Sequence, residues 1–176
     1  MNKTFSATVV FLKDGIGRIC LAPKKEDIHK AGEVLVGSRQ KWNGYGGKQE
    51  SGETILQTAI RELKDESGVC GKEKDLELIA RISFFWPGNE TIAPDMVVYF
   101  FFLSIFEGEP KEGEREMGTP QFFFPHEIPY HEMMPADKLF LPKLLAGEKI
   151  VWDVYLGKKV DGGNVCFKDN GTLPTL

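Results

Sequence analysis

The sequence predicts an α/β (α+β) protein, and two kinds of pattern carry that prediction. The runs Leu76 to Trp86 and Met96 to Phe106 are apolar, aromatic and β-branched enough to be central strands of one sheet. Leu56, Ala59, Ile60 and Leu63 recur at i, i+3, i+4 and i+7, the period of a helix packed along one side. With 176 residues, 41% hydrophobic and 27% charged, the chain has the size and makeup of one globular domain, assigned to residues 1–168 with 169–176 as a loose tail.

Taken in order, Phe5 to Leu12 and Ile16 to Leu21 are β-rich runs around the turn signal Lys13-Asp14-Gly15, which predicts an N-terminal hairpin. Ala22 to Gln40 mixes charge with Pro23, Gly32 and Gly37 around a short apolar piece, Val34 to Val36. It reads as a long surface connection of the kind that often covers a site. Lys41 to Tyr45 is a short strand ended by Gly44, Gly46 and Gly47, and the chain then enters a helix that begins near Thr54 and stops at Ser67-Gly68. Pro87-Gly88-Asn89 opens the link between the central strands. Glu107 to Gly118 is an acidic loop and Gln121 to Phe124 a short strand. Pro135 precedes a second helix, Ala136 to Leu145, and Ile150 to Leu156 pairs with Asn164 to Phe167 in a hairpin around Gly162-Gly163.

The balance of charge narrows the partners. A net charge of −4 without a Lys/Arg block disfavours binding along a nucleic acid polymer, while a single nucleotide in a pocket remains compatible. Cys20, Cys70 and Cys166 lack CxxC spacing and fit reduced thiols. The apolar start MNKTFSATVVFL has no small-residue cleavage site, and no apolar run approaches the roughly 20 residues that span a bilayer. A cytoplasmic monomer with no membrane contact is the expectation.

The chemistry concentrates in the helix. Glu62, Asp65 and Glu66 stand at i, i+3 and i+4, so their side chains share a face about a third of a turn from the apolar stripe. Like charges so close repel unless a cation joins them. A hard divalent ion, Mg2+ or Mn2+, suits oxygen ligands and brings phosphate oxygens with it. A nucleoside triphosphate is too negative to approach such a cluster directly, so an ion must bridge the two and draw charge from the attacked phosphorus. A solvated face with i, i+4 ion pairs accounts for isolated carboxylates, but not for the whole arrangement of glycines, arginine and both spacings.

Gly47, five residues, Glu53, seven residues and Arg61-Glu62-Leu63-Lys64-Asp65-Glu66-Ser67-Gly68-Val69 together resemble the Nudix box. Asp65 stands where the box usually has a glutamate, keeping the charge on a shorter arm. The resemblance implies a Nudix fold, a mixed β-sheet sandwiched between α-helices. It implies metal ligation by Glu62, Asp65, Glu66 and the Gly46 carbonyl, with Arg61 and Glu53 orienting the carboxylates. It extends to the branch that hydrolyses oxidised purine nucleoside triphosphates of the 8-oxo-dGTP and 2-oxo-dATP type, which would sanitise the nucleotide pool. Trp42-Asn43-Gly44-Tyr45-Gly46-Gly47-Lys48 is similar to that branch's entry to the box, as are Glu116-Met117 and the segment from Ile128-Pro129-Tyr130 to Pro142. By this resemblance Asn43 would bond the base, Lys24 and Lys48 would lie on the substrate side, and Glu116 would be a further metal ligand or the general base.

Phe84 and Trp86, at i and i+2 of a strand, share a side and are placed either to stack on the base with Met117 or to pack as core. The chain departs from the branch at Met133-Met134-Pro135-Ala136-Asp137, where the relatives have Met-Trp-Pro-Asp-Asp. Met134 replaces an aromatic wall, Ala136 replaces a carboxylate, and Asp137 is left to read the base. The expected products are a nucleoside monophosphate and pyrophosphate. The rivals are a diphosphatase for dinucleoside polyphosphates, nucleotide sugars or methylated purine nucleotides, and a nucleotide-sensing module without turnover.

Overall fold

The computed structural model describes residues 4–25, 28–30, 33–35, 40–87, 93–156 and 165–176. In chain order the elements are β1 (Phe5–Leu12), β2 (Ile19–Pro23), β3 (Ile28–Lys30), β4 (Glu33–Leu35), β5 (Trp42–Asn43), α1 (Ile55–Ser67), β6 (Cys70–Gly71), β7 (Leu76–Phe85), β8 (Met96–Leu103), β9 (Phe106–Glu107), β10 (Gln121–Phe123), α2 (Asp137–Leu145), β11 (Ile150–Leu156) and β12 (Val165–Asp169). The main sheet runs β1-β8-β7-β11-β12 and a smaller one β10-β2-β5. Both β1–β8 and β7–β11 are parallel, whereas β7–β8 and β11–β12 are antiparallel. The sheet is therefore mixed, as expected.

Burial on both faces explains why the strands read as nearly continuous apolar runs. Along β1, Phe11 joins the cluster around Phe140, Leu141 and Leu144 of α2, while Val10 and Leu12 join the cluster around Ala59 and Leu63 of α1. Strand β8 alternates likewise, with Phe100 and Phe102 on the α2 side and Phe101 and Leu103 on the α1 side. Helix α1 starts at a capping box: the Thr54 hydroxyl takes the Gln57 N–H and the Gln57 side chain takes the Thr54 N–H. It ends at Gly68, whose left-handed backbone (φ 75°) lets its N–H reach the Lys64 carbonyl.

Several expectations change. The first two strands touch through a single bridge, Lys13 to Ile19, and do not form a hairpin ladder. One edge of β1 is taken by β8 and the other by the glycine turn, where Thr8 and Val10 N–H groups donate to Gly47 and Tyr45 carbonyls. No edge is left for β2, which pairs instead with β10 and β5. Ile16 is 65% exposed and precedes the strand, because the Asp14 carboxylate holds the turn open by accepting the Ile16 and Arg18 N–H groups.

The stretch read as one long connection, Ala22 to Gln40, begins inside β2, with Ala22 fully buried, and contains the small β3–β4 ribbon. The expected strand at Lys41 to Tyr45 contracts to Trp42–Asn43. At the far end β12 continues through Asp169, which pairs with Trp152, and the Asn170 N–H donates to the Val151 carbonyl. Gly88-Asn89 and the Gly162-Gly163 turn lie outside the described residues.

Replacing Gly68 by alanine puts a side chain on a left-handed residue with no atom within 4 Å to clash. The expected result is a loss of about 1–2 kcal/mol from backbone strain alone, measured by urea unfolding, with activity retained at temperatures where the variant is folded.

Candidate active site

The site forms where α1 meets the glycine turn and the end of β2. The turn lies so close to β1 that a Cβ on Gly46 would stand 1.9 Å from the Thr8 carbonyl oxygen, and one on Gly47 would stand 2.5 Å from a Glu62 carboxylate oxygen. That approach aims the Gly46 N–H at Glu66, whose Oε2 accepts it at 2.7 Å. The other oxygen, Oε1, accepts from Lys24 Nζ at 3.1 Å, and the same ammonium lies 3.8 Å from Glu116 Oε2. Glu66 is 6% exposed and Lys24 8%. Burial raises the Glu66 carboxyl to about 7, with Glu116 adding repulsion and Lys24 and the Gly46 N–H opposing the rise.

Arg61 organises the outer edge. Its guanidinium donates to both oxygens of Glu53, at 2.5 and 2.9 Å, to Glu62 Oε1 at 2.8 Å, and to the Lys48 carbonyl at 3.3 Å. Hydrogen bonding from Arg61 holds Glu53 down at about 2, with the Thr58 hydroxyl and the Glu50 N–H helping. Burial raises the Glu62 carboxyl; Arg61 opposes this, while Glu116 and Asp65 add to it. Asp65 and Glu116 are exposed.

Among the described residues, no three His, Cys, Asp or Glu side chains converge closely enough to hold a metal ion. Glu66 is instead engaged by Lys24 and Glu62 by Arg61. The donors are nonetheless hard oxygens, and the charge of Glu116 bears on both Glu62 and the buried Glu66, so the set suits Mg2+ or Mn2+.

On the other face of the main sheet, Phe84 and Trp86 stack with ring centroids 6.4 Å apart and are 7% and 4% exposed, within the cluster that holds Met133, Ala136 and Phe140. Met117 does not join them. Paired with Lys24 across a bridge, it is fully buried in the α1-side cluster, so a three-residue stack on a base is not formed. Asn43 is partly buried at the end of β5, and its Oδ1 accepts the N–H of Gly44. Lys48 is exposed, its ammonium 4.9 Å from the Phe5 ring. Met134 is half-buried, and its carbonyl accepts the Asp137 N–H. Asp137 keeps one carboxylate oxygen, Oδ2, buried without a hydrogen-bond partner.

The NUDIX domain family model matches residues 3–144. The chain belongs to the NUDIX family. A zebrafish (Danio rerio) protein named oxidized purine nucleoside triphosphate hydrolase is 38% identical over 126 residues, covering 68% of this chain and 76% of its own. The mouse (Mus musculus) protein of the same name is 37% identical over 146 residues, covering 80% and 82%. A MutT protein of Bacillus halodurans superposes with a TM-score of 0.67 at 20% identity, over 93% of this chain and 97% of that one. The last likeness concerns the fold alone.

Two contacts of this NUDIX chain escape sequence reasoning. The Trp42 indole donates to Glu132 Oε2 at 2.9 Å, tying β5 to the turn before α2, although the residues lie 90 positions apart. Asp95 is 5% exposed and its carboxylate accepts the Trp86 N–H at 2.8 Å, while its own N–H donates to the Phe84 carbonyl. Nothing in the sequence spacing of Asp95 names its partner.

Burial raises the Asp137 carboxyl from its ordinary 3.8 to about 7, so the folded protein favours the neutral acid. The stability this permits is full below pH about 4 and is lost as pH rises through about 7. Asp137→Asn is expected to flatten that slope in urea midpoints measured across the interval, with Glu66 and Glu62, raised in the same direction, retaining part of it.

Proposed function

We propose that this chain hydrolyses an oxidised purine nucleoside triphosphate to the monophosphate and pyrophosphate, using Mg2+, or Mn2+ in its place, held by Glu62, Asp65, Glu66, Glu116 and the Gly46 carbonyl. The observation that carries the proposal is Glu66. It is a buried carboxylate with one oxygen fixed by the turn and the other accepting from the Lys24 ammonium, in a chain 37–38% identical to two proteins named for this activity. When bound, the ion supplies the charge that admits a triphosphate and polarises the water that attacks it.

The chain's own residues do the positioning. Arg61 locks Glu53 and Glu62 in one arrangement, so the helix face meets the phosphates preorganised. Glu116, exposed beside Lys24, has a carboxylate suited to either task the resemblance implies, completing the ion's ligands or taking up the proton of the attacking water as general base. On the base side, Asp137 offers an oxygen without a protein partner, while Ala136 offers only a methyl group. A purine edge that bonds Asp137 would gain most where the base presents an added hydrogen-bonding group, which is what oxidation of the ring creates.

Pyrophosphate release across normal, oxidised and methylated purine triphosphates tests this. The oxidised substrates are expected to have the highest kcat/KM, and Glu66→Gln to lower kcat at least about 100-fold with the fold retained. Equal turnover of dGTP and 8-oxo-dGTP would sink the oxidised-base assignment. Absence of hydrolysis with Mg2+ supplied, with nucleotide still bound, would favour a sensing module.

A further inference from the structure

The geometry points to Lys24 as the resident counter-ion of Glu66, occupying the carboxylate oxygen that a divalent cation needs and so setting how tightly the site binds metal before substrate arrives. This inference rests on the proposed metal-dependent reading of the same site. Lysine is seldom buried unless paired, and here a buried ammonium meets a buried carboxylate at 3.1 Å. The pair is not adventitious packing of two surface chains. The Lys24 backbone is pinned on both sides, its N–H donating to the Lys41 carbonyl at 3.0 Å and its carbonyl accepting from Gln40 at 2.6 Å, and it bridges to Met117 across the strand. The backbone is fixed, and the ammonium stands at the end of a four-methylene stem with rotatable bonds.

Both oxygens of Glu66 already accept a hydrogen bond. Its Oε2 is held by the Gly46 N–H, and that turn cannot recede without parting from β1. A cation arriving at Glu66 therefore competes for Oε1, and the ammonium it meets already leans toward Glu116 at 3.8 Å. In the absence of metal, Lys24 neutralises a carboxylate that would otherwise stand buried and unpaired, which preserves the fold at the expense of metal affinity.

Direct titration with Mn2+ alone, in the absence of nucleotide, decides the matter. Lys24→Met keeps the length of the stem and removes the charge, and it is expected to bind Mn2+ about tenfold more tightly than the wild type. Mn2+ should also raise its melting temperature more than it raises that of the wild type. Unchanged or weaker Mn2+ binding by a folded Lys24→Met protein would overturn the counter-ion role while leaving the metal-dependent reading intact. A wild type that binds no Mn2+ would overturn both. Should Lys24→Met fail to fold, the wild-type protein answers alone: the Lys24 ε-methylene resonance is expected to shift on titration with Mg2+, and its staying in place would refute the exchange.

Discussion

The contact between the glycine turn and β1 governs much of this molecule. Thr8 and Val10 exchange backbone hydrogen bonds with Gly47 and Tyr45, and at Gly46 the two backbones are too close to admit even a methyl group. The same turn presents its N–H to Glu66, so one approach of two backbones both completes the edge of the sheet and places the buried carboxylate of the site. Because β1 is thereby occupied on both edges, β2 is driven out of the main sheet. That displacement brings Lys24, at the end of β2, over α1. The geometry of the site is a consequence of where a strand was refused.

Helix α1 was legible almost to the residue, because the local signals agreed: a start near Thr54 after the glycine turn, an apolar stripe ending at Leu63, and a stop at Ser67-Gly68, where the structure adds a capping box and a left-handed glycine. Strands β7 and β8 were legible because burial on both faces leaves little but apolar side chains in them. The N-terminal hairpin was misjudged because two β-rich runs around a turn look alike whether or not they pair. The competitor for the β1 edge is a glycine segment with no strand character of its own. Met117 was misplaced for a related reason: its neighbour Glu116 faces Lys24, and alternation along the chain turns the thioether under α1, away from the aromatics. Partnerships such as Lys24 with Glu66 or Trp42 with Glu132 join distant segments, and only the folded arrangement reveals them.

The substitutions at Met134 and Ala136 acquire a physical sense from their surroundings. Ala136 is 5% exposed in the α2-side core, beside Met133 at 1%. A carboxylate there would need hydrogen-bond partners or a bound base, while a methyl group needs neither. Asp137 bears the whole polar burden of this segment, and its unpartnered oxygen is a tension that the apolar neighbour does not relieve.

Strand β1 lies parallel to β8, so the first strand of the chain finds its partner only after α1 and β7 have been made. During synthesis on the ribosome the acidic helix emerges early and its capping box can hold it locally, but the sheet beneath it is still missing its centre. Until β8 arrives, the paired face of β1 is open and the groups gathered around Glu66 remain in water. A nascent fragment ending before Met96 would carry the acidic motif in full but lack β8, the parallel partner of β1 in the main sheet.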